Sequence, residues 1–365
     1  MNFFYQASKK PNNDYLKIKI NEAANRLYSK LVNYDIKGVE ISEYNRRYFG
    51  NKIKNPVSIY KCLQKYSFLL LWSLSSNQKP LENVVFMDYG GGHGMLSLLA
   101  KELKIGTVIH TDIFEISCYD AKTIGESLNI PADYYIPGDI DEVIEFLRAE
   151  SISCDAISNF DVIEHIYDIS KFFDKIKLLT DDKIEIFFAS GANSLNSRIN
   201  KRLMKQHLEF EYKDRGYKFG RKPTDTTKAL FELRKDLIRS AANSKLKEDE
   251  IELLSRLTRG FLVDHIKAIT ASYVENKKLP KPIKHPTNTC DPFTGNWFEH
   301  LMDPFELKKI LDLNGFETSI YSGYYSTGKT LVRSVTTFLL NLLITFSSNK
   351  GLRIAPFYAI HAIKK

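Results

Sequence analysis

Between the apolar run Val84-Val-Phe-Met87 and the pattern Met95, Leu96, Leu98, Leu99 stands Asp88-Tyr-Gly-Gly-Gly-His-Gly94. No other stretch restricts the fold as much. A strand tip carrying a carboxylate, followed by glycines at 90, 92 and 94 and then by helical periodicity, demands a strand, a tight turn and a helix in succession. That unit opens an α/β fold. Glycine has no Cβ, so such a loop turns sharply and lets a ligand lie against bare backbone. The helix behind it brings unpaired N–H groups and the positive end of its dipole. The implied guest is a nucleoside-containing cofactor.

Spacing narrows the cofactor. A dinucleotide fingerprint reads G-x-G-x-x-G. Its sixth position is Met95 counted from Gly90 and Ser97 counted from Gly92, so neither register fits and a nicotinamide oxidoreductase is disfavoured. The order D-x-G-x-G-x-G instead resembles motif I of class I S-adenosylmethionine-dependent methyltransferases. The resemblance implies that Gly90, Gly92 and Gly94 approach the methionine part of the cofactor, while Asp88 helps to hold its ammonium group.

The following segments extend the resemblance. Thr107-Val-Ile-His-Thr-Asp112-Ile113 reads as a second strand ending in an acid, after a helix over about residues 94–104. A carboxylate there suits both ribose hydroxyls, because its oxygens offer paired lone pairs. Tyr134-Tyr-Ile-Pro-Gly-Asp139-Ile140 reads as a third strand ending in another acid. The resemblance implies that Asp139 meets the adenine amino group and that Ile140 flanks the ring. A fourth strand, Asp155-Ala-Ile-Ser-Asn159-Phe160, runs into Asp161-Val-Ile-Glu164-His165, and Asn159 and Asp161 complete the expected cofactor-binding set.

The implied fold is a Rossmann-like, seven-stranded, mostly parallel sheet. Lys183–Ser190 supplies the fifth strand. A helix from Phe305, capped by Asp303 and stopped at Gly315, precedes a sixth strand from Phe316. The alternating run Pro356–Ile363 suits the last strand, and its antiparallel insertion is implied by the resemblance alone. The expected organisation is a helical segment over 1–80, the cofactor-binding half over 81–190, a helical insertion over 191–302 and the rest of the sheet domain over 303–365. In the first segment Tyr60, Leu63, Phe68, Leu71 and Trp72 form an apolar set; in the resembled family such a segment packs beside or over the pocket.

Two stretches exceed a minimal fold. In the insertion, Ile251, Leu254, Leu257, Phe261, Leu262, His265 and Ile269 approximate helical spacing. Its tail, His285 to His300, is dense in turn formers and aromatics, and reads either as a lid over a polar substrate or as a connector in which Trp297 packs. The other stretch, Leu331–Phe346, is interrupted by Arg333 and Asn341 and falls short of the roughly 20 residues that span a bilayer. It reads as a buried or interface helix, with peripheral membrane contact left open.

If the acceptor is a hydroxyl, a base that removes its proton assists transfer, and histidine suits the task. His165 is the first candidate because it follows strand four; His285 and His300 come next, then His207 and the Asp264–His265 pair. Each reads equally as a structural or surface histidine. Asp161, Glu164 and His165 would share a helical face at i, i+3 and i+4. The trio looks like the acid-x-x-Glu-His element of ubiquinone-pathway O-methyltransferases, which raises a divalent metal as a second cofactor; Glu164 pairing within the fold is the simpler account.

Composition sets the outer bounds. The 365 residues are 43% hydrophobic, enough for a sizeable core. Cys62, Cys118, Cys154 and Cys290 form no C-x-x-C pair, which argues against a zinc site or disulfide framework and suits a reducing cytoplasm. Lysines and asparagines follow the amino terminus where a signal peptide would place an apolar core. A net charge of +8 fits a phosphorylated substrate, a nucleic acid, an anionic membrane or merely a lysine-rich surface. Nucleic acid is disfavoured: Ser158-Asn-Phe-Asp161 replaces the Pro-Pro-aromatic motif of amino-directed DNA enzymes, and there is no Pro-Cys nucleophile. The carboxyl-terminal layout is similar to methyltransferases of bacterial surface polysaccharide and modified-sugar synthesis, which implies O-methylation of a sugar or sugar nucleotide. The rival expectations are a quinone precursor or lipid-linked acceptor, or a protein that binds the cofactor without turnover.

Overall fold

A computed structural model describes the chain except residues 5–8, 217–226, 327–330 and 365, and except the side chains of 331–333. The Arg333 side chain, which interrupts the apolar stretch 331–346, therefore lies outside the described residues.

Seven strands form one sheet: β1 (Val85–Tyr89), β2 (Thr107–Asp112), β3 (Tyr134–Pro137), β4 (Ala156–Phe160), β5 (Glu185–Ser190), β6 (Phe316–Ser322) and β7 (Tyr358–Lys364). Their order is β3-β2-β1-β4-β5-β7-β6. The first five are parallel, and β7 is inserted antiparallel between β5 and β6, as the resemblance implied. Strand β5 is buried along its whole length, and its residues alternate between the two cores. Phe187 and Ala189 face a core built with α1 (Asp14–Val32), α3 (Pro56–Ser73), α4 (Met95–Glu102) and α5 (Glu115–Ser127). Ile186 and Phe188 face the other, with α6 (Ile140–Ala149), α7 (Ile169–Ile176) and α12 (Pro304–Leu313). A strand apolar on both sides needs helices on both sides.

Two boundaries differ from expectation. The third strand ends at Pro137, so Asp139 caps α6, with its side chain on the Asp141 amide at 2.7 Å. The periodic run 251–269 is two helices, α10 (Glu248–Leu257) and α11 (Val263–Asn276), because Gly260 takes a φ of +89° between them. A Cβ on Gly260 would stand 2.7 Å from the Asn288 carbonyl oxygen. The cap at Asp303 and the left-handed stop at Gly315 occur as expected.

Amino-terminal α2 (Glu43–Ile53) precedes α3, and the insertion after β5 contains α8 (Ser197–Tyr212), α9 (Leu230–Ala242), α10 and α11. Ile238, Ile251, Leu254, Ile266 and Tyr273 give α9–α11 a small core of their own. Beside it Arg234 of α9 pairs with Glu211 of α8, each about 1% exposed. Arg234 also donates to the Ser255 carbonyl at 3.0 Å, and Arg259, 3.6 Å from Glu211, donates to Thr289 Oγ1 at 2.7 Å. Removing one partner strands the other as an uncompensated buried charge. Arg234→Ala or Glu211→Ala should therefore cost about 3–5 kcal/mol in urea unfolding. The double change Glu211→Leu/Arg234→Met should recover most of it; single variants as stable as wild type would refute this assignment.

Candidate functional site

A cavity of about 720 Å³ opens at the carboxyl ends of β1 to β4. The glycine loop forms one wall. Gly90, Gly92 and Gly94 all have left-handed φ values of +67°, +55° and +76°. A Cβ on Gly90 would stand 2.7 Å from the Val162 side chain, and one on Gly94 would stand 3.0 Å from Ala121. At Gly92 nothing lies within 4 Å of that position, and the residue lines the cavity. A side chain there would project into otherwise open space.

Asp112 stands beside this bare backbone. Its Oδ2 accepts the Gly92 amide at 3.0 Å and its Oδ1 the Phe114 amide at 2.9 Å. One bond on each oxygen leaves a further lone pair on each. The carboxylate is fixed in direction yet retains capacity. Ile113, Asp139 and Ile140 continue the same wall. Burial raises the Asp139 carboxyl above its ordinary pKa, although the Asp141 amide opposes the shift.

Asp88, Gly94 and Asn159 do not line the cavity. Asp88 Oδ2 instead accepts the Ser97 amide at 3.0 Å and the Ser97 hydroxyl at 2.7 Å, inside the first turn of α4. His93 Nδ1 accepts the Met95 amide at 3.3 Å. The helix amides expected to greet a ligand are thus partly taken by side chains of the loop itself. Asn159, 1% exposed, is buried under the β4 tip.

The far end gathers Asp161, His165, Trp297 and Glu299, with Lys65 and Tyr48 contributed by α3 and α2. Asp161 and Glu299 have left-handed φ values of +58° and +56° without being glycine. Such strain persists only where surrounding bonds impose it. The Gly191 amide donates to Asp161 Oδ1 at 2.8 Å. The 297–300 segment is zipped to the β4 exit: Trp297 N donates to the His165 carbonyl at 3.2 Å, and His300 N to the Glu164 carbonyl at 3.2 Å. His165 Nδ1 lies 2.7 Å from the Trp297 carbonyl. A carbonyl only accepts, so Nδ1 carries the proton and Nε2 of the neutral ring keeps the lone pair.

Electrostatics at this end pull in opposite directions. Burial, and then Asp161, raises the Glu299 carboxyl, which His165 partly offsets. Burial, and then Lys52, lowers the Lys65 ammonium, whose Nζ sits 4.0 Å from the Phe160 ring centroid. The Tyr48 phenol is pushed up to about 12 by burial and next by Asp161.

The trio raised as a possible metal site is not assembled. Residues 163–165 form a 3₁₀ turn rather than an α-helix, and Asp161 precedes it in left-handed backbone. Glu164 turns into the interior at 0% exposure. Among the described residues, no group of three or more His, Cys, Asp or Glu side chains could hold a metal ion.

His285 and His300 do not line the cavity either. Their rings stack on each other with centroids 4.0 Å apart, and His300 stacks in turn on Trp297 at 4.6 Å. Burial lowers both, His300 to about 4. His207 is buried against the Glu299 carbonyl, and His265 is exposed on α11. The tail serves both readings offered for it. Trp297 packs on Tyr167 at 5.1 Å, while Thr294, Asn296 and Glu299 add to the cavity wall.

Lys65, Tyr48 and Glu299 were not anticipated. Lys65 sits among buried neighbours within the apolar pattern of α3, and an inward lysine in such a pattern is the one available signal. Glu299 carries none.

No family model matches the chain, and no curated protein matches it. Solved structures do. The plantazolicin methyltransferase BpumL, solved with a pentazolic desmethylPZN analog and SAH, is 14% identical over 96% of this chain and 99% of that one, with a TM-score of 0.37. A SAM-dependent methyltransferase from Archaeoglobus fulgidus is 15% identical over 87% and 98%, with a TM-score of 0.36. Magnesium protoporphyrin IX methyltransferase from Synechocystis PCC 6803, with bound SAH, is 12% identical over 97% and 100%, with a TM-score of 0.38. These are distant likenesses, and the chemistry of the site rests on its own residues.

Glu164 offers a test of the buried acid. Burial, then Asp161 and Glu299, pushes its carboxyl well above the usual range, and Ser190 stands near without meeting hydrogen-bond geometry. A raised folded pKa contributes stability at low pH that is lost as pH climbs from about 4.3 toward the folded value. Glu164→Gln should therefore melt above wild type at neutral pH, with the gap closing on acidification to about pH 4. A gap that widens on acidification would reverse the assignment.

Proposed function

We propose that the chain is an S-adenosylmethionine-dependent methyltransferase acting on a hydroxyl of a polar small molecule, a sugar or sugar nucleotide of surface polysaccharide synthesis. The observation that carries this reading is Gly92: left-handed, open where a Cβ would stand, and held by its amide to Asp112. Bare backbone beside a pre-oriented carboxylate fits an amino-acid–ribose unit, and Asp139 with Ile140 lies farther along the wall, where a purine would follow.

When bound, the sulfonium supplies an electrophilic methyl group. The chain's task is to align the acceptor oxygen with it, and such positioning is worth about 7–11 kcal/mol. Trp297 and Phe160 bound the far end with apolar surface. His165 Nε2 takes the hydroxyl proton as the oxygen–carbon bond forms. The carboxylates of Asp161 and Glu299 and the amide of Asn296 favour a polyhydroxylated acceptor over a quinone precursor.

Asp112→Ala should weaken adenosylhomocysteine binding in calorimetry by about 1–3 kcal/mol, the value of hydrogen bonds to a charged group. His165→Ala should lower turnover by about 10²–10⁴-fold while that binding persists. Incubation with methyl-labelled cofactor and a metabolite extract, followed by mass spectrometry, identifies the acceptor. Absence of binding heat from both adenosylmethionine and adenosylhomocysteine would end the proposal.

A further inference from the structure

Helix α13 (Leu331–Phe346), between β6 and β7, is built inside out. Its Val335, Phe338, Leu339, Leu343 and Phe346 are between 40% and 82% exposed. Its polar Asn341 is fully buried, donating to the Tyr325 carbonyl and accepting the Tyr325 amide, both at 2.8 Å. At 100° per residue the five exposed side chains fall on one side of the helix, while Asn341 and buried Ile344 fall on the other. Leu342, within the same arc, is half-buried against the core; the exposed apolar side chains around it make a face of the kind that marks an interaction site.

Charge identifies the occupant. From Thr318 to Ile363 the sequence carries Lys329, Arg333, Lys350 and Arg353, and no Asp or Glu. Lys350 and Arg353 lie exposed in the 3₁₀ helix that packs against α13. Arg198 and Arg202 of α8 line the cleft closed by Tyr325, the residue that Asn341 grips. An apolar helix face flanked by exposed Lys350 and Arg353, in a stretch of sequence without acids, is complementary to a lipid surface bearing anionic headgroups. A second copy would bring the same positive charge to the contact and is disfavoured by it.

We propose that α13 lies flat on an anionic bilayer, its exposed face in the acyl boundary and the neighbouring lysine and arginines on lipid phosphates. The helix cannot cross: its 16 residues extend about 24 Å against a hydrocarbon core of about 30 Å. Among the described residues no helix is long and apolar enough to span a membrane.

The test is co-sedimentation of the full chain with phosphatidylcholine vesicles and with vesicles of phosphatidylcholine and phosphatidylglycerol, without any methyl donor. The protein should sediment with the anionic vesicles, less so at high salt. Leu339→Glu/Leu343→Glu should weaken that binding at least about tenfold, or about 1.4 kcal/mol. Lys350→Glu/Arg353→Glu should weaken it without touching the apolar face. Circular dichroism and adenosylhomocysteine binding should stay as in wild type for both. Sedimentation with neither vesicle, or equal binding by the leucine variant, overturns the proposal. So does a dimer in analytical ultracentrifugation that the leucine variant splits, which would give the face to a second copy.

Discussion

The Asp88 carboxylate, buried between β1 and the first turn of α4, is the contact on which the ligand end of the fold depends. By accepting both the amide and the hydroxyl of Ser97 it ties the helix to the strand tip and fixes the loop between them. The consequence reaches back into the sequence. A Cβ on Gly91 would stand 2.6 Å from Asp88 Oδ2 and equally close to His110, so that glycine answers to the carboxylate. Gly90 answers to Val162 and Gly94 to Ala121. Gly90 and Gly91 also border the cavity, but Gly92 alone of the four has no protein neighbour where a Cβ would stand. A motif that reads as a ligand cradle is in large part held by packing against the protein itself.

The opposite end is held by a different device. Asp161 and Glu299 occupy backbone conformations that are costly for side chains with a Cβ, at roughly 1–3 kcal/mol each. The strain is maintained by local bonds: the Ala189 carbonyl and Gly191 amide around Asp161, and the His165–Trp297 and Glu164–His300 pairs around Glu299. Burial then draws Glu299 up and Lys65 down, so both lean toward neutrality.

Legibility in the sequence followed the range of the interactions involved. Strands β1, β2 and β4 and the cap at Asp303 are local events, governed by apolar runs, glycines and a single side chain, and they stand close to where the pattern puts them. The break at Gly260 was hidden because its cause is the distant Asn288 carbonyl. Asp139 left its strand because a capping box with Glu142 competes for the same backbone. Asp112 could be read from its strand tip, whereas Lys65 and Glu299 come to one cavity from positions 234 apart in the sequence. The metal trio failed on a local point: an i, i+3, i+4 face needs an α-helix, and the chain makes a 3₁₀ turn.

Those distant contributions are coupled to the stability of the insertion. Glu211 on α8 holds Arg234, lies 3.6 Å from Arg259 and receives the Thr289 hydroxyl at 3.4 Å. Thr289 in turn accepts the Phe298 amide through its carbonyl at 3.1 Å, next to Glu299. One turn earlier on α8, His207 donates to the Glu299 carbonyl at 3.2 Å. The left-handed kink at Glu299 is therefore held from two sides, by α8 through His207 and by the β4 exit through His165 and Glu164. One end of the cavity is thus built on strand tips and the other partly on a helical insertion with its own core. Gly92 and Asp112 stand on the sheet, apart from α8–α11, so the two ends of the cavity rest on different parts of the chain, and function lies in sites grafted onto such a fold.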